Sequence, residues 1–316
     1  MLTTLNPRVS IVIASHRKDS IEKCLEGFSG DIAGFVDFEI IAVADYSFDD
    51  LKRKYPEINW KYHNDKNIPA KRNIGISCAK APITGFIDDD CVPLPDWIIA
   101  AAGYLEQNSS LAGVAGHTVV EVKNGVSYPL KEFLRLEKPG FRTNNIFYRK
   151  DIILKAGGFD ERFTFQREDI DLAFTIMDMG VKIGYCPDVK VMHLHRDKEY
   201  WDLLKNCRNR RFDPLLYNKH PAAYRKWIGT PLTPAIIMMT LLHAATLAGI
   251  HFGMSAAPAL LIDTGCALIL GIRKNNSPLK NILRILRDGF SYFIAPLVMF
   301  AALIYGSIKF RRFLLA

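Results

Sequence analysis

Three carboxylates in a row, Asp88-Asp89-Asp90, follow the apolar run Ile83–Ile87. Like charges this close repel, so the cluster calls for a cation. Hard divalent ions such as Mg2+ or Mn2+ take oxygen ligands and often share one or two carboxylates with substrate phosphates. In an extended segment Asp88 and Asp90 point one way and Asp89 the other. That pairs Asp88 and Asp90 for metal and ribose and leaves Asp89 to support the loop. A solvated turn would carry the same letters, but the basic residues upstream weigh against it. Lys71, Arg72 and Asn73 stand on a helical pattern and could hold a diphosphate, or form an ordinary solvated face. Further on, Glu168 and Asp169 precede another helical pattern, where they could cap the helix or take a proton. His193 and His195 share one face of an extended segment and could complete a metal site, although such a pair is also common as structure.

These residues need a frame. Val9–Ser15 ("VSIVIAS") and Phe38–Asp45 ("FEIIAVAD") read as buried strands, and Ile83–Asp88 as a third. Helical patterns near 20–28 and 68–81 separate them, which predicts an α/β layer with a mainly parallel sheet. Ligands of such sheets sit beyond the carboxyl ends of the strands. Ser15–Arg17, Asp45 and Asp88–Asp90 all fall there, so one site could collect all three. The region 113–196 mixes strands and turns with a helix predicted over 169–179.

The chain has 316 residues, with 41 Lys and Arg against 33 Asp and Glu, a formal charge of +8. That balance suits a polyanionic ligand or an anionic membrane surface. No nucleic-acid recognition motif accompanies it, so nucleic acid is not expected as a partner. Six scattered cysteines without a C-x-x-C pair favour reduced thiols. The first apolar run is too short for a secretory segment, which places the N-terminal part in the cytosol.

The last third changes character. Between Trp227 and Ile262 there is no Lys, Arg, Asp or Glu. That length fits two helices closed by a turn, with spans expected at 231–250 and 254–272, and a third at 289–308. Between them, Leu279, Lys280, Ile282, Leu283, Arg284, Leu286 and Arg287 alternate at helical spacing, as in an interfacial helix over 278–287. The expected division is a catalytic domain over 1–226 and a membrane region over 227–316. If the first two spans cross and return, Arg273 and Lys274 lie inside, as the positive-inside rule prefers. A third full span would put Lys309, Arg311 and Arg312 outside, against the rule. Span length favours three crossings; a re-entrant hairpin turning near Pro296 is the alternative.

As a set, these stretches resemble family-2 glycosyltransferases of the GT-A fold over about 9–196. "VSIVIASHRK" matches the opening strand and nucleotide loop, and "VADYS" the acidic turn that contacts the nucleobase. "KRNIGISCAKAPITGFIDDDCVP" matches the helix leading to the D-x-D metal motif. "TNNIFYRKDIILKAGGFDERF" and "REDIDLAF" match the acceptor side and its E-D motif, and "VMHLHR" the histidine strand. The fold class implied is α/β, a Rossmann-like mainly parallel sheet followed by an α-helical membrane region. The resemblance implies nucleotide-sugar contacts from Ser15, Arg17, Asp45, Lys71, Arg72, Asn73, Asp88 and Asp89. It implies metal ligation by Asp88 and Asp90, with His193 or His195 as a further ligand, and Asp169 as general base beside Glu168. "RNRRF" loosely resembles the Q-x-x-R-W element of membrane polysaccharide synthases, which would set Arg208 and Arg211 near diphosphate and Phe212 against an acceptor sugar. A basic membrane-facing patch is the rival reading of that stretch.

The activity expected is therefore inverting, Mg2+- or Mn2+-dependent transfer from a nucleotide-diphosphate sugar, a UDP-sugar first. The acceptor would be a hydroxyl of a lipid-linked molecule or glycan at a multi-pass membrane protein whose catalytic domain faces the cytoplasm. A polyprenyl-phosphate glycosyltransferase is the alternative enzyme. A nucleotidyltransferase would more naturally carry a glycine-rich phosphate loop, and a non-catalytic nucleotide-sugar-binding protein would have little need of Asp88, Asp90 and Asp169 together.

Overall fold

The computed structural model describes residues 6–29, 36–121, 134–195, 201–275 and 282–313, with backbone alone at 274 and 275. The described residues divide into two compact units, 6–195 and 201–313. The boundary expected after Lys226 thus falls inside the second unit. The reason is packing: the short helices that follow residue 201 close their apolar sides on the long apolar helices further along the same unit.

The first unit is a mixed sheet of eight strands in the order β3-β2-β1-β4-β7-β6-β8-β5. β1 (Val9–Ser15), β2 (Phe38–Ala44), β3 (Asn59–Tyr62) and β4 (Ile83–Asp88) are parallel. β7 (Ile146–Arg149) runs antiparallel between β4 and β6 (Leu111–Val120). β8 (Lys182–His193) pairs parallel with β6 and antiparallel with the short β5 (Cys91–Pro93). The expected mainly parallel α/β frame is present. Its strands are near-continuous apolar runs because both faces are covered. Ile11, Ile13, Ile40, Ala42 and Ile87 point into one core, while Val12, Ile41, Val43 and Phe86 point into the other. This is the period of two that a pleated strand imposes.

α1 (Lys18–Glu26) follows β1, α2 (Asp49–Lys54) follows β2, and α3 (Ile68–Cys78) leads into β4. α3 opens on Asn67, whose side chain accepts from the Ala70 N–H, and has Pro69 in its first turn. It lies tight on β1: a Cβ at Gly75 would run into the Val12 side chain. α4 (Trp97–Gln107), α5 (Lys150–Lys155) and α6 (Glu168–Asp178) complete the unit. Register aligns Ser15 with Ala44, and Ala14 with Asp88, so the ends of β1, β2 and β4 share one edge.

In the second unit, α7 (Asp202–Asn209), a 3-10 turn at Arg210–Phe212, α8 (Asp213–Lys219) and α9 (Pro221–Trp227) precede three long helices. α10 (Pro234–His251), α11 (Ala256–Asn275) and α12 (Ile282–Lys309) are each long and apolar enough to cross a membrane. The acidic residue inside the second run, Asp263, is buried and accepts from Thr246 Oγ1 at 3.0 Å. Residues 278–281 of the expected interfacial segment lie outside the described residues. Ile282 to Arg287 continue without a break into the third apolar run, because no helix breaker separates them.

Candidate functional site

Each of the three aspartates has its own partner. Asp89 turns back onto the loop after β1, where its Oδ2 accepts from Ser15 Oγ at 2.9 Å, His16 N at 2.9 Å and Arg17 N at 3.1 Å. It holds the 15–17 loop in shape; Asp89 and Asp90 form a turn past the end of β4 rather than the extended segment expected, so the turn and not strand alternation aims it there. Asp88 meets Arg72 at 3.0 Å. Burial raises its pKa, with the Asp90 charge adding and the Arg72 guanidinium opposing. Asp90 is buried and lies 3.3 Å from Arg17 Nη1 and 3.6 Å from His193 Nε2.

His193 reaches Asp90 through sheet pairing rather than sequence. β5 and β8 run antiparallel with Cys91 opposite His193, and Leu194 N donates to the Asp90 carbonyl at 2.9 Å. Ligand atoms of Asp90, Cys91 and His193 all lie within 4.8 Å of one another. Burial, then the charges of Asp90 and Asp88, push the Cys91 thiol well above its ordinary range, so it stays protonated. The carboxylate and imidazole that remain are the oxygen and nitrogen donors that a hard or borderline divalent ion takes, and their spacing fits one ion. His195 stands apart from this group: its backbone N–H donates to Glu121 Oε2 at 2.8 Å.

Lys71 and Arg72 do not hang free for a diphosphate. Lys71 is fully buried, with Nζ 2.7 Å from the Ser15 carbonyl, 2.9 Å from His16 Nδ1 and 3.1 Å from Asp45 Oδ2. Burial lowers its pKa, and Asp45 opposes the shift. Burial acts to raise Asp45, but the bonds from His16 and Lys71 outweigh it and hold that carboxyl below its usual range. Arg72 bridges Asp88 and Glu168, donating to Glu168 Oε1 at 2.8 Å. Asn73 grips the next turn, with Nδ2 donating to the Phe159 carbonyl and Oδ1 accepting from Phe159 N, both at 2.9 Å. That turn passes through Gly158 at φ +74, where a Cβ would meet Asn73 Oδ1 at 2.8 Å. The Phe159 ring then sits 5.5 Å from the Arg72 guanidinium.

Glu168 and Asp169 open α6 behind Arg167, whose backbone is left-handed at φ +81. Asp169 is half-buried, and its Oδ1 accepts from Ile170 N at 2.7 Å. Burial raises both carboxyls. The neighbouring Asp169 adds to the rise at Glu168, which is pushed up to about 7 against the opposing Arg72. Among the described residues, His16 Nε2, Gln166 Oε1 and Glu168 Oε2 are buried polar atoms with no partner. Such atoms normally mark a place where a ligand or water supplies the missing bond.

Sequence reasoning gave no role to His16, within the 15–17 loop, or to Tyr46, whose hydroxyl lies 2.7 Å from Ser15 Oγ. It also missed Asn145, which takes the Trp97 indole N–H at 2.9 Å and donates to the Val189 carbonyl at 2.9 Å, tying α4 and β8 together. Two adjacent asparagines before a strand were the available signal. In the second unit Arg208 is exposed, while Phe212 is buried under Arg211, so its ring has no open face for a sugar.

The Glycosyl transferase family 2 model matches residues 10–160. A glycosyltransferase of Haloferax volcanii, AglE, is 22% identical over 223 residues, covering 65% of this chain and 72% of that protein. A glucosyl-dolichyl phosphate glucuronosyltransferase of the same organism is 25% identical over 175 residues, 48% of this chain and 56% of its own. The Pyrobaculum calidifontis mannosyltransferase PcManGT, solved with GDP-Man and Mn2+, shares the fold at a TM-score of 0.56 and 18% identity, over 93% of this chain and 88% of its own. Match and geometry converge: residues 10–160 match the family 2 glycosyltransferase model, the sheet unit has the GT-A fold, and the chain is a glycosyltransferase.

Proposed function

We propose that the protein moves a glycosyl group from a nucleoside-diphosphate sugar to a hydroxyl of a lipid-linked acceptor, with inversion, at a membrane that its C-terminal helices cross. A glycan hydroxyl is the second acceptor class, and the catalytic unit faces the cytoplasm. The observation that carries this reading is the Asp88–Arg72–Glu168 chain, which joins the carboxylates of the donor edge to the carboxyl pair at the start of α6.

Asp90 and His193 would hold a divalent cation, with Asp88 beside them. When bound, such an ion neutralises charge developing on the leaving diphosphate. The 15–17 loop, shaped by Asp89, offers backbone and Arg17 to the nucleotide. Asp45, fixed by His16 and Lys71, would meet the nucleobase, uracil first. The acceptor hydroxyl attacks the anomeric carbon, the bond from that carbon to the phosphate oxygen breaks, and the nucleoside diphosphate leaves with the electron pair. The hydroxyl proton passes to Asp169, the more exposed of the Glu168–Asp169 pair.

A carboxylate base at the start of α6 favours a hydroxyl acceptor over a polyprenyl phosphate, since a phosphate is already ionised and needs no base. One relative's name, glucosyl-dolichyl phosphate glucuronosyltransferase, favours a lipid-linked acceptor of the first kind. The test is thermal unfolding of the purified chain with nucleoside diphosphates, with and without Mn2+ or Mg2+. A midpoint raised by one diphosphate and only with the metal is the expected result. No shift with any nucleotide would contradict the reading.

A further inference from the structure

The second unit contains a helix whose surroundings do not match those of a third crossing. α12 buries one continuous stripe, from Ile285 through Tyr292, Met299 and Leu303 to Gly306. Half of its apolar window is buried, against 11% for α10 and 17% for α11.

The stripe changes partners halfway. Its first part packs on the C-terminal half of α11: a Cβ at Gly271 would meet the Ile285 carbonyl at 2.7 Å, and one at Gly289 would meet Leu268 at 3.1 Å. At this level it also meets α10, with Tyr292 clustered on Met239 and Ala267, and Phe293 4.9 Å from His243. An antiparallel crossing would then continue beside the N-terminal half of α11. It does not, because Leu260, Leu261 and Ile262 stay exposed. The short helices already touch α12 at Phe290, and they stay beside it to its C-terminal end. Phe290 meets Trp201, Gly306 lies against the Arg211 carbonyl, and Arg312 stacks 5.8 Å from the Tyr217 ring.

Those helices are polar. Residues 202–219 carry Asp202, Lys205, Arg208, Arg210, Arg211, Asp213 and Lys219, a charge density that hydrocarbon does not accept. A helix packed along them cannot pass through the acyl layer over that stretch. Its other face is nonetheless apolar, with Leu283, Leu297 and Ile308 each about two-thirds or more exposed. Basic groups gather at its end: Arg225 of α9 and Arg312 lie 5.2 and 5.8 Å from the same Tyr217 ring, with Lys226, Lys309 and Arg311 near them in sequence. An apolar face bordered by cations is the pattern of a helix lying at the headgroup–acyl boundary of an anionic leaflet.

We propose that α12 does not cross. It lies in the membrane plane on the leaflet that carries α7–α9, its apolar face among acyl chains and its basic end on anionic headgroups. α10 and α11 then form the crossing hairpin. This rests on the membrane reading above, and it removes the conflict with the positive-inside rule, because the basic tail stays on the side of Arg225 and Lys226.

The test is labelling of the full chain by a membrane-impermeant maleimide in sealed vesicles of known orientation, with the half-buried Cys78 and Cys266 replaced. Ala222→Cys on α9, Met254→Cys in the turn between α10 and α11, and Phe313→Cys are the reporters, all at exposed positions. The expected result is that Ala222→Cys and Phe313→Cys react from one side and Met254→Cys from the other. A fluorophore on Leu297→Cys should be quenched by nitroxide lipids labelled near the headgroup and little by those labelled near the chain end. Phe313→Cys reacting with the side of Met254→Cys would overturn the proposal in favour of three crossings. Phe313→Cys on the side of Ala222→Cys but deep quenching at Leu297→Cys would overturn it in favour of a re-entrant hairpin. Met254→Cys and Ala222→Cys reacting from the same side would instead overturn the membrane reading on which it rests.

Discussion

At the scale of the residue, the three aspartates divide the work that their adjacency obscures. Asp90 faces His193 and Arg17, Asp88 faces Arg72, and Asp89 faces backbone. Asp90→Ala is therefore expected to abolish transfer and metal-dependent nucleotide binding while leaving the fold intact; circular dichroism and nucleotide titration with and without Mn2+ check it. Unchanged turnover in a metal-chelated assay would contradict the assignment. The pH profile carries a second expectation. A base accepts a proton only when ionised, and Glu168 and Asp169 are both held above the usual carboxylate range by burial. The acid limb of kcat/KM should thus fall in the range between ordinary carboxylates and about 7, with activity rising as pH climbs through it. An acid limb near pH 4 would show that neither carboxyl is the base.

At the scale of the element, one buried lysine ties three strand and helix ends together. Lys71 reaches the Ser15 carbonyl at the end of β1 and Asp45 just past β2, from its place on α3. Removing one partner of a buried ion pair leaves the other uncompensated, so Lys71→Met should cost about 3 kcal/mol of stability. Denaturant unfolding measures that cost, and a change below about 0.5 kcal/mol would show that water readily replaces the ammonium. This element also shows what the sequence makes legible. Strands β1, β2 and β4, and the carboxylates at their ends, are local patterns of apolar runs and turns. The cationic helix face was legible as a composition, but not its direction: Lys71 and Arg72 point at carboxylates and serve as internal counter-ions. His193 was legible as a candidate, whereas its choice over His195 depends on an antiparallel pairing between residues about a hundred positions apart. No local pattern encodes that register.

At the scale of the molecule, the change of composition after residue 226 was plain, while the boundary of the second unit was not. α7–α9 look like soluble, charged helices in sequence, yet Leu203 closes on Met239, Ala267 and Tyr292 of the apolar helices. The apolar exterior of α10 and α11, including Leu241, Leu247 and Leu261, has no protein cover within the described residues. The full chain should accordingly sediment with membranes and stay there after alkaline carbonate, leaving only on detergent addition. Release by carbonate alone would mean that these helices are buried in a larger assembly.

The most direct test of the central claim is the release of nucleoside diphosphate from a sugar nucleotide, measured for the full chain and for Asp169→Asn with and without a hydroxyl-bearing lipid-linked acceptor. The account requires acceptor-dependent release by the natural chain. It also requires a loss of roughly a hundredfold or more in Asp169→Asn, with donor affinity unchanged. Asp169→Asn with full turnover, or with turnover and donor binding lost together, would contradict the account, because the carboxylate would then have no role in proton transfer or would belong to the donor site.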